Sequence, residues 1–149
     1  GVLTERISNL LGVGRAISVS LAIVGFGLIL VPLAPGATIV GFAMLIGHQL
    51  LSDGFETVWE ANQAAIRGRV LPANFQGRAN AANDGVGILG RLLGIIVGGL
   101  IGSSVAGSGV ALFVGGGASI AVGLFVAASR LGRIQTISQI PASGARRRA

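Results

Sequence analysis

Cysteine and tyrosine are absent from this chain of 149 residues, which also has only one tryptophan and one histidine. Without cysteine the chain can form no disulfide, no thiolate metal site and no cysteine nucleophile. A single His, His48, excludes a histidine-based metal cluster. We find no nucleophile–base pair and no phosphate-binding loop in the sequence. The expectation is therefore a protein that is not an enzyme and that has no metal or cofactor.

Charge is also scarce, and apolar residues take its place. Hydrophobic residues make up 52% of the chain, charged residues 11%, and the mean hydropathy is +0.81. Soluble domains carry about a quarter of charged residues. A net charge of +6 would suggest a nucleic-acid partner in a soluble chain, but no surface of interleaved aromatic and basic residues accompanies it. We predict a polytopic membrane protein, with the lipid bilayer as partner and no nucleic acid.

All eleven cationic residues are arginines, and ten of them form three patches between long apolar segments. The patches are Arg6 and Arg15, then Arg67, Arg69 and Arg78, then Arg130, Arg133 and 146–148. Cytoplasmic loops keep arginine, whereas translocated loops lose it. The intervening turns, 31–37 and 102–109, contain no charge. This alternation predicts a multi-pass protein of the cell membrane with both termini in the cytoplasm.

The predicted fold class is all-α, with four transmembrane helices near 15–34, 37–60, 80–103 and 108–129. Each is long enough for about 30 Å of hydrocarbon at about 1.5 Å per residue. Together they make a membrane domain over 1–134, and the arginine-rich tail 135–149 is predicted to be disordered. The first apolar core is too long for a signal peptide. Because the chain begins with Gly1 rather than Met, we interpret it as a fragment of a longer protein.

The second span carries an acidic stripe. At about 100° per residue, one face of this helix aligns Gln49, Asp53, Glu56, Glu60, Gln63 and Arg67. Carboxylates cannot face lipid cheaply, so the stripe needs a water-filled cavity or partner charges. Asp53 lies roughly 24 Å along the helix from Ala37, within hydrocarbon depth. Glu56 is borderline, and from Glu60 onward we favour a solvated helix end.

His48 lies at membrane depth on another face of the same helix. Imidazole can take up or release a proton near neutral pH, which makes His48 a candidate for a proton pathway. Its position about 100° from the stripe places it near Ser52, Phe55 and Trp59. A single His in a helix is more often packed and hydrogen-bonded, and we favour that interpretation.

The third span combines a glycine ladder with the eleventh arginine, Arg91. Glycine recurs every fourth residue, at Gly90, Gly94, Gly98 and Gly102, a spacing that lets helices pack closely in lipid. An unpaired Arg91 in the membrane costs at least about 2.5 kcal/mol. We hypothesise that it pairs with Asp53, Glu56 or Asp84 in at least one conformation. The first and fourth spans carry no charge and are predicted to be lipid-facing scaffold, in which close packing is allowed by four glycines, Gly115, Gly116, Gly117 and Gly123.

The connection between the second and third spans carries a recognisable motif. It contains Arg67, Arg69, Leu71-Pro72 and Gly77-Arg78-Ala79-Asn80-Ala81. This motif, with the glycine-rich helix after it, resembles the connection between the tenth and eleventh helices of major facilitator superfamily exporters. The similarity is to the branch of enterobactin exporters and macrolide-efflux permeases, where Val is usual at the position of Ala79. Gly14-Arg15 resembles part of that superfamily's loop between the eighth and ninth helices.

The resemblance covers 1–133 and implies the ninth to twelfth helices of a twelve-helix fold, with the N-terminal half missing. It implies that the second span lines a central cavity, that the third span borders the other half of the transporter, and that the first and fourth spans face lipid. The implied function is export of a small amphipathic compound, drug-like or siderophore-like, by proton antiport and alternating access. Asp53, Glu56, Arg91, Asp84 and His48 are the candidate substrate and proton pathway. The alternative is a small non-transporting membrane subunit that packs against a partner through its glycine-rich helix.

Overall fold

The computed structural model describes residues 2–104 and 107–140, and every regular element among them is helical. The five α-helices are α1 (Val2–Leu11), α2 (Val13–Leu33), α3 (Ile39–Val70), α4 (Ala73–Gly102) and α5 (Gly107–Ala128). Short 3-10 helices follow at Leu131–Arg133 and Ile137–Gln139. The all-α prediction is confirmed for the described residues. Helix α1 was not predicted, and α4 begins seven residues earlier than the predicted start at position 80.

Three of these helices, α2, α4 and α5, are long and apolar enough to cross a membrane. This agrees with a helical membrane protein. Helix α3 is not among them, because Gln49, Asp53 and Glu56 lower the hydropathy of its first half. Its crossing of the membrane, and with it the fourth span, stays a prediction.

Local sequence explains where the helices break. Gly12 has a φ of 83°, which side chains other than glycine rarely adopt, and it separates α1 from α2. Thr38 is the N-cap of α3, and its side-chain hydroxyl accepts a hydrogen bond of 3.0 Å from the Gly41 N–H. Helix α3 ends before Leu71, which has an extended backbone because the proline after it, Pro72, disfavours helical geometry in the preceding residue.

The core is the contact between α2 and α5, where the backbones of the two helices approach each other closely. A Cβ added to Gly25 would lie 2.5 Å from the Gly116 carbonyl oxygen, and one added to Gly123 would lie 2.8 Å from that of Ser18. Ser119 of α5 donates a hydrogen bond of 2.8 Å to the Leu21 carbonyl oxygen of α2. Small residues and interhelical hydrogen bonds of this kind hold membrane helices together. Helix α2 also packs against α3, so within the described residues it lies between α3 and α5, although the first span was predicted to be lipid-facing scaffold.

The predicted glycine ladder of α4 makes no close helix packing in the described part of the chain. A Cβ on Gly90, Gly94 or Gly98 would meet nothing within 4 Å, and one on Gly102 would meet only Ser108, at 3.6 Å. No residue of α4 is buried. Close packing within the chain therefore uses glycines of α2 and α5. Packing through the ladder stays a prediction for a surface outside this chain.

Residues 135–140, predicted as the start of a disordered tail, fold back onto the helices. The Val13 N–H donates to the Gln135 carbonyl oxygen at 3.1 Å, and the Gly14 N–H donates to that of Ile134 at 2.9 Å. The first N–H groups of a helix have no intrahelical acceptor, so these carbonyl groups satisfy the start of α2. The rest of the predicted tail, 141–149, lies outside the described residues.

Candidate functional site

The acidic stripe of α3 lies on the face turned away from α2. Its first four members, Gln49, Asp53, Glu56 and Glu60, are all exposed, whereas Val58 and Asn62 on the opposite face are buried. The last two members, Gln63 and Arg67, are half-buried near the end of the helix. The predicted common face of the stripe is confirmed. Nothing in the described residues covers its membrane-depth part.

Asp53 is held in place by its own helix. The Gln49 side-chain amide donates a hydrogen bond of 2.7 Å to Asp53 Oδ2, and the Thr57 hydroxyl donates one of 2.9 Å to the Asp53 carbonyl oxygen. No cation pairs with the carboxylate among the described residues. Gln49 thus fixes one carboxylate oxygen and leaves Oδ1 free to take a proton or to contact a cationic group.

His48 lies at the interface between α2 and α3, apart from the stripe. It shares a hydrogen bond of 3.1 Å with the Ser52 hydroxyl through Nδ1. A Cβ added to Gly27 of α2 would lie 3.0 Å from this nitrogen and 2.9 Å from Ser52 Oγ. The predicted separation from the stripe is confirmed, and the contacts agree with the packed interpretation. A proton pathway through His48 stays a prediction.

Arg91 and Asp84 are both exposed on α4. Among the described residues, Arg91 makes no hydrogen bond or ion pair, so its predicted pairing with Asp53, Glu56 or Asp84 is not formed in this structure. For Asp53 and Glu56 the reason is the course of α4, whereas Asp84 is on the same helix, about two turns from Arg91. The side-chain hydrogen bonds that join α3 to α4 all lie at their connection, and α4 has more contact with α5 than with α3.

The loop motif at this connection is joined by hydrogen bonds. Arg67 Nε donates to Asn80 Oδ1 at 3.2 Å and Arg67 Nη1 donates to Gln63 Oε1 at 3.1 Å, which links α3 to α4. Arg69 Nε donates to the Ile140 carbonyl oxygen at 3.3 Å. The structure adds Gln76, whose amide donates to the carbonyl oxygens of Gly68 and Leu71 at 3.3 Å each. Gly77 faces open space, and Pro72 and Arg78 are exposed.

Sequence reasoning also missed Asn62, which is buried in a face of α3 that looked apolar. The Ser8 hydroxyl of α1 donates a hydrogen bond of 3.0 Å to Asn62 Oδ1, and Asn62 Nδ2 donates one of 2.8 Å to the Val58 carbonyl oxygen. The only sign of this role in the sequence is that Asn62 is an amide residue of α3 that lies outside the acidic stripe. Asn62 ties α1 to α3 and helps to fix the end of the helix that carries the stripe.

We expect Asn80→Ala to lower the free energy of unfolding by about 1 kcal/mol, because it removes an acceptor from the charged Arg67 at a solvent-exposed position. Denaturant titration of the detergent-solubilised protein measures this difference. Asn74→Ala is the matched control, since Asn74 is exposed in the same helix and makes no side-chain hydrogen bond with the described residues. Equal losses in both variants would contradict a role for the bond between Arg67 and Asn80.

An apolar cleft opens beside this connection, between α2, α3, α4 and α5. Its volume is about 420 Å³. Its polar lining consists of Gln63, Arg67 and Asn83 together with Trp59, and the remaining lining residues are aliphatic. An apolar pocket with a few polar groups is typical of sites for small amphipathic molecules.

Comparisons of this chain with family models, curated proteins and solved structures give no match.

Proposed function

We propose that this chain is part of a secondary active transporter of the major facilitator type, which exports a small amphipathic compound in exchange for protons. The observation that carries the proposal is the exposed stripe of Gln49, Asp53 and Glu56 on α3. Carboxylates at membrane depth must border water or partner charges. Because α2 packs against the opposite face of α3, the stripe is turned outward, where a water-filled path between two transporter halves would meet it.

Helix α4 supports the same arrangement. It presents Arg91, Asp84 and its glycine ladder on surfaces that the described residues leave open. In the proposed transporter, the missing N-terminal half covers α3 and α4. Asp53 and Glu56 take protons or the cationic group of the substrate, Arg91 is an internal counter-ion, and the cleft beside Trp59 accepts the apolar part of the substrate.

The proposal predicts proton-driven transport by the protein that the natural reading frame encodes. Inverted membrane vesicles from bacteria lacking their main efflux systems should accumulate a fluorescent lipophilic cation when acidified inside, because protons leaving the vesicle drive the compound in. Vesicles without the protein are the control, and a protonophore should abolish the accumulation. Accumulation that persists without a pH gradient would contradict proton antiport, and no accumulation of any amphipathic dye would contradict the transporter.

A second candidate function is a non-transporting membrane subunit that binds its partner through α4. The open space at Gly90, Gly94 and Gly98 favours it, because that face is free to pack. Such a subunit has no need of a carboxylate at Asp53. Substituting leucine for Gly94 would then abolish partner binding, whereas Asp53→Asn would leave every property of the protein unchanged.

A further inference from the structure

Two arginines line one small cleft where α2 begins and α5 ends. Arg15, in the first turn of α2, and Arg133, at the end of a 3-10 helix, face a space of about 350 Å³ together with Leu11, Ala127, Gly132 and Gln135. We propose that this cleft binds the phosphodiester headgroup of an anionic phospholipid. The proposal is independent of transport.

The backbone holds the two arginines near each other. The N–H groups of Val13 and Gly14 donate to carbonyl groups of residues 134 and 135, and Gly14 has no room for a Cβ beside the Leu131 carbonyl oxygen. Arg15 and Arg133 therefore lie on segments that are fixed against each other. This places like charges around one space, and an anion between them would relieve their repulsion.

Neither guanidinium group has a partner among the described residues. Both side chains are exposed, and neither makes a hydrogen bond or an ion pair there. Glu5 lines the neighbouring cleft, which Arg15 also borders, but it forms no ion pair with Arg15. Each guanidinium group keeps five N–H donors in a planar fork that matches phosphate oxygens.

The position of the cleft favours a lipid over free phosphate. Ala127 is the penultimate residue of α5, so the cleft lies where two apolar helices reach their ends, at the depth of lipid headgroups. Leu124 lies one turn deeper on the same side of α5 as Ala127, and it is 64% exposed. Its side chain offers an apolar surface for an acyl chain beneath the phosphate site.

Native mass spectrometry of the full chain in an uncharged detergent tests the proposal by titration with phosphatidylglycerol. We expect one phosphatidylglycerol per chain and much weaker binding of phosphatidylcholine. Because an arginine near a membrane surface contributes about fivefold to anionic lipid binding, Arg15→Gln and Arg133→Gln should each weaken it about fivefold and together about 25-fold. The two substitutions are at exposed positions on separate segments, and circular dichroism checks that each variant is folded.

Arg78→Gln is the matched control, since Arg78 is an exposed arginine of the α3–α4 connection that does not line the cleft. It should change binding by less than about twofold, because the loss of one remote charge is screened. A loss in Arg78→Gln equal to that in Arg15→Gln would overturn the proposal in favour of general surface charge. Displacement of phosphatidylglycerol by inorganic phosphate at matched concentration would overturn the assignment to a lipid.

Discussion

Gly116→Ala is expected to lower the free energy of unfolding by about 2 kcal/mol, because it inserts a methyl group where two helix backbones meet. The new Cβ would lie 2.6 Å from the Gly25 carbonyl oxygen and 2.7 Å from Ile29 Cγ1. Carbon atoms do not approach this closely, so α2 and α5 must move apart. That movement stretches the hydrogen bond from Ser119 to Leu21, which lies close by on the same contact. Denaturant or thermal unfolding in detergent measures the loss.

The neighbouring residue provides a control with the opposite expected sign. A Cβ on Gly117 would meet nothing within 4 Å, and this position is exposed. Alanine favours a helix over glycine by up to about 1 kcal/mol, so Gly117→Ala should leave the stability unchanged or raise it. If both substitutions destabilise the protein equally, then α2 and α5 do not approach each other at Gly116 as the structure has it.

The glycines also show how far helix packing could be predicted from the sequence. Close packing was predicted both for the ladder of α4 and for the glycines of the fourth span, and only Gly116 and Gly123 of the fourth span make it, together with Gly25 of α2. A ladder describes one face of one helix, whereas packing needs two faces that meet. Which faces meet depends on how several helices are arranged around α2, and periodicity along a single helix carries no information about that arrangement.

The same distinction, between features of one helix and features of the helix arrangement, applies to the candidate site. The common face of Asp53 and Glu56, and the separation of His48 from it, follow from the geometry of one helix, so the sequence was enough to predict both. The relation between Arg91 and Asp53 depends instead on the path of α4, which few contacts hold to α3 within the described chain. The hydrogen bonds from the start of α2 to residues 134 and 135 could not be predicted from the sequence either, because their acceptors are main-chain carbonyl groups, which every residue has.

A charge exchange tests whether Arg91 and Asp53 meet during the transport cycle. Either reversal alone, Asp53→Arg or Arg91→Asp, would leave two like charges facing each other in the membrane, whereas the two together would restore an attractive pair. Recovery of export in the double variant would show that the residues meet in a conformation other than the present one. If the double variant is as inactive as the single ones, the pairing hypothesis is wrong.

Asp53→Asn is expected to reduce proton-driven export at least about tenfold, because an amide of the same shape can neither take up a proton nor neutralise a cationic group at membrane depth. The amide still fits beside Gln49, so folding and protein level should not change.

Glu60→Gln is the matched control, since Glu60 is exposed on the same stripe about two turns further along. We expect its export to stay within about twofold of the wild type, because we predict that this carboxylate lies at a solvated helix end, outside the hydrocarbon. Efflux of a fluorescent substrate, normalised to the amount of protein, separates the two variants. Export at the wild-type rate from Asp53→Asn would remove Asp53 from the transport path.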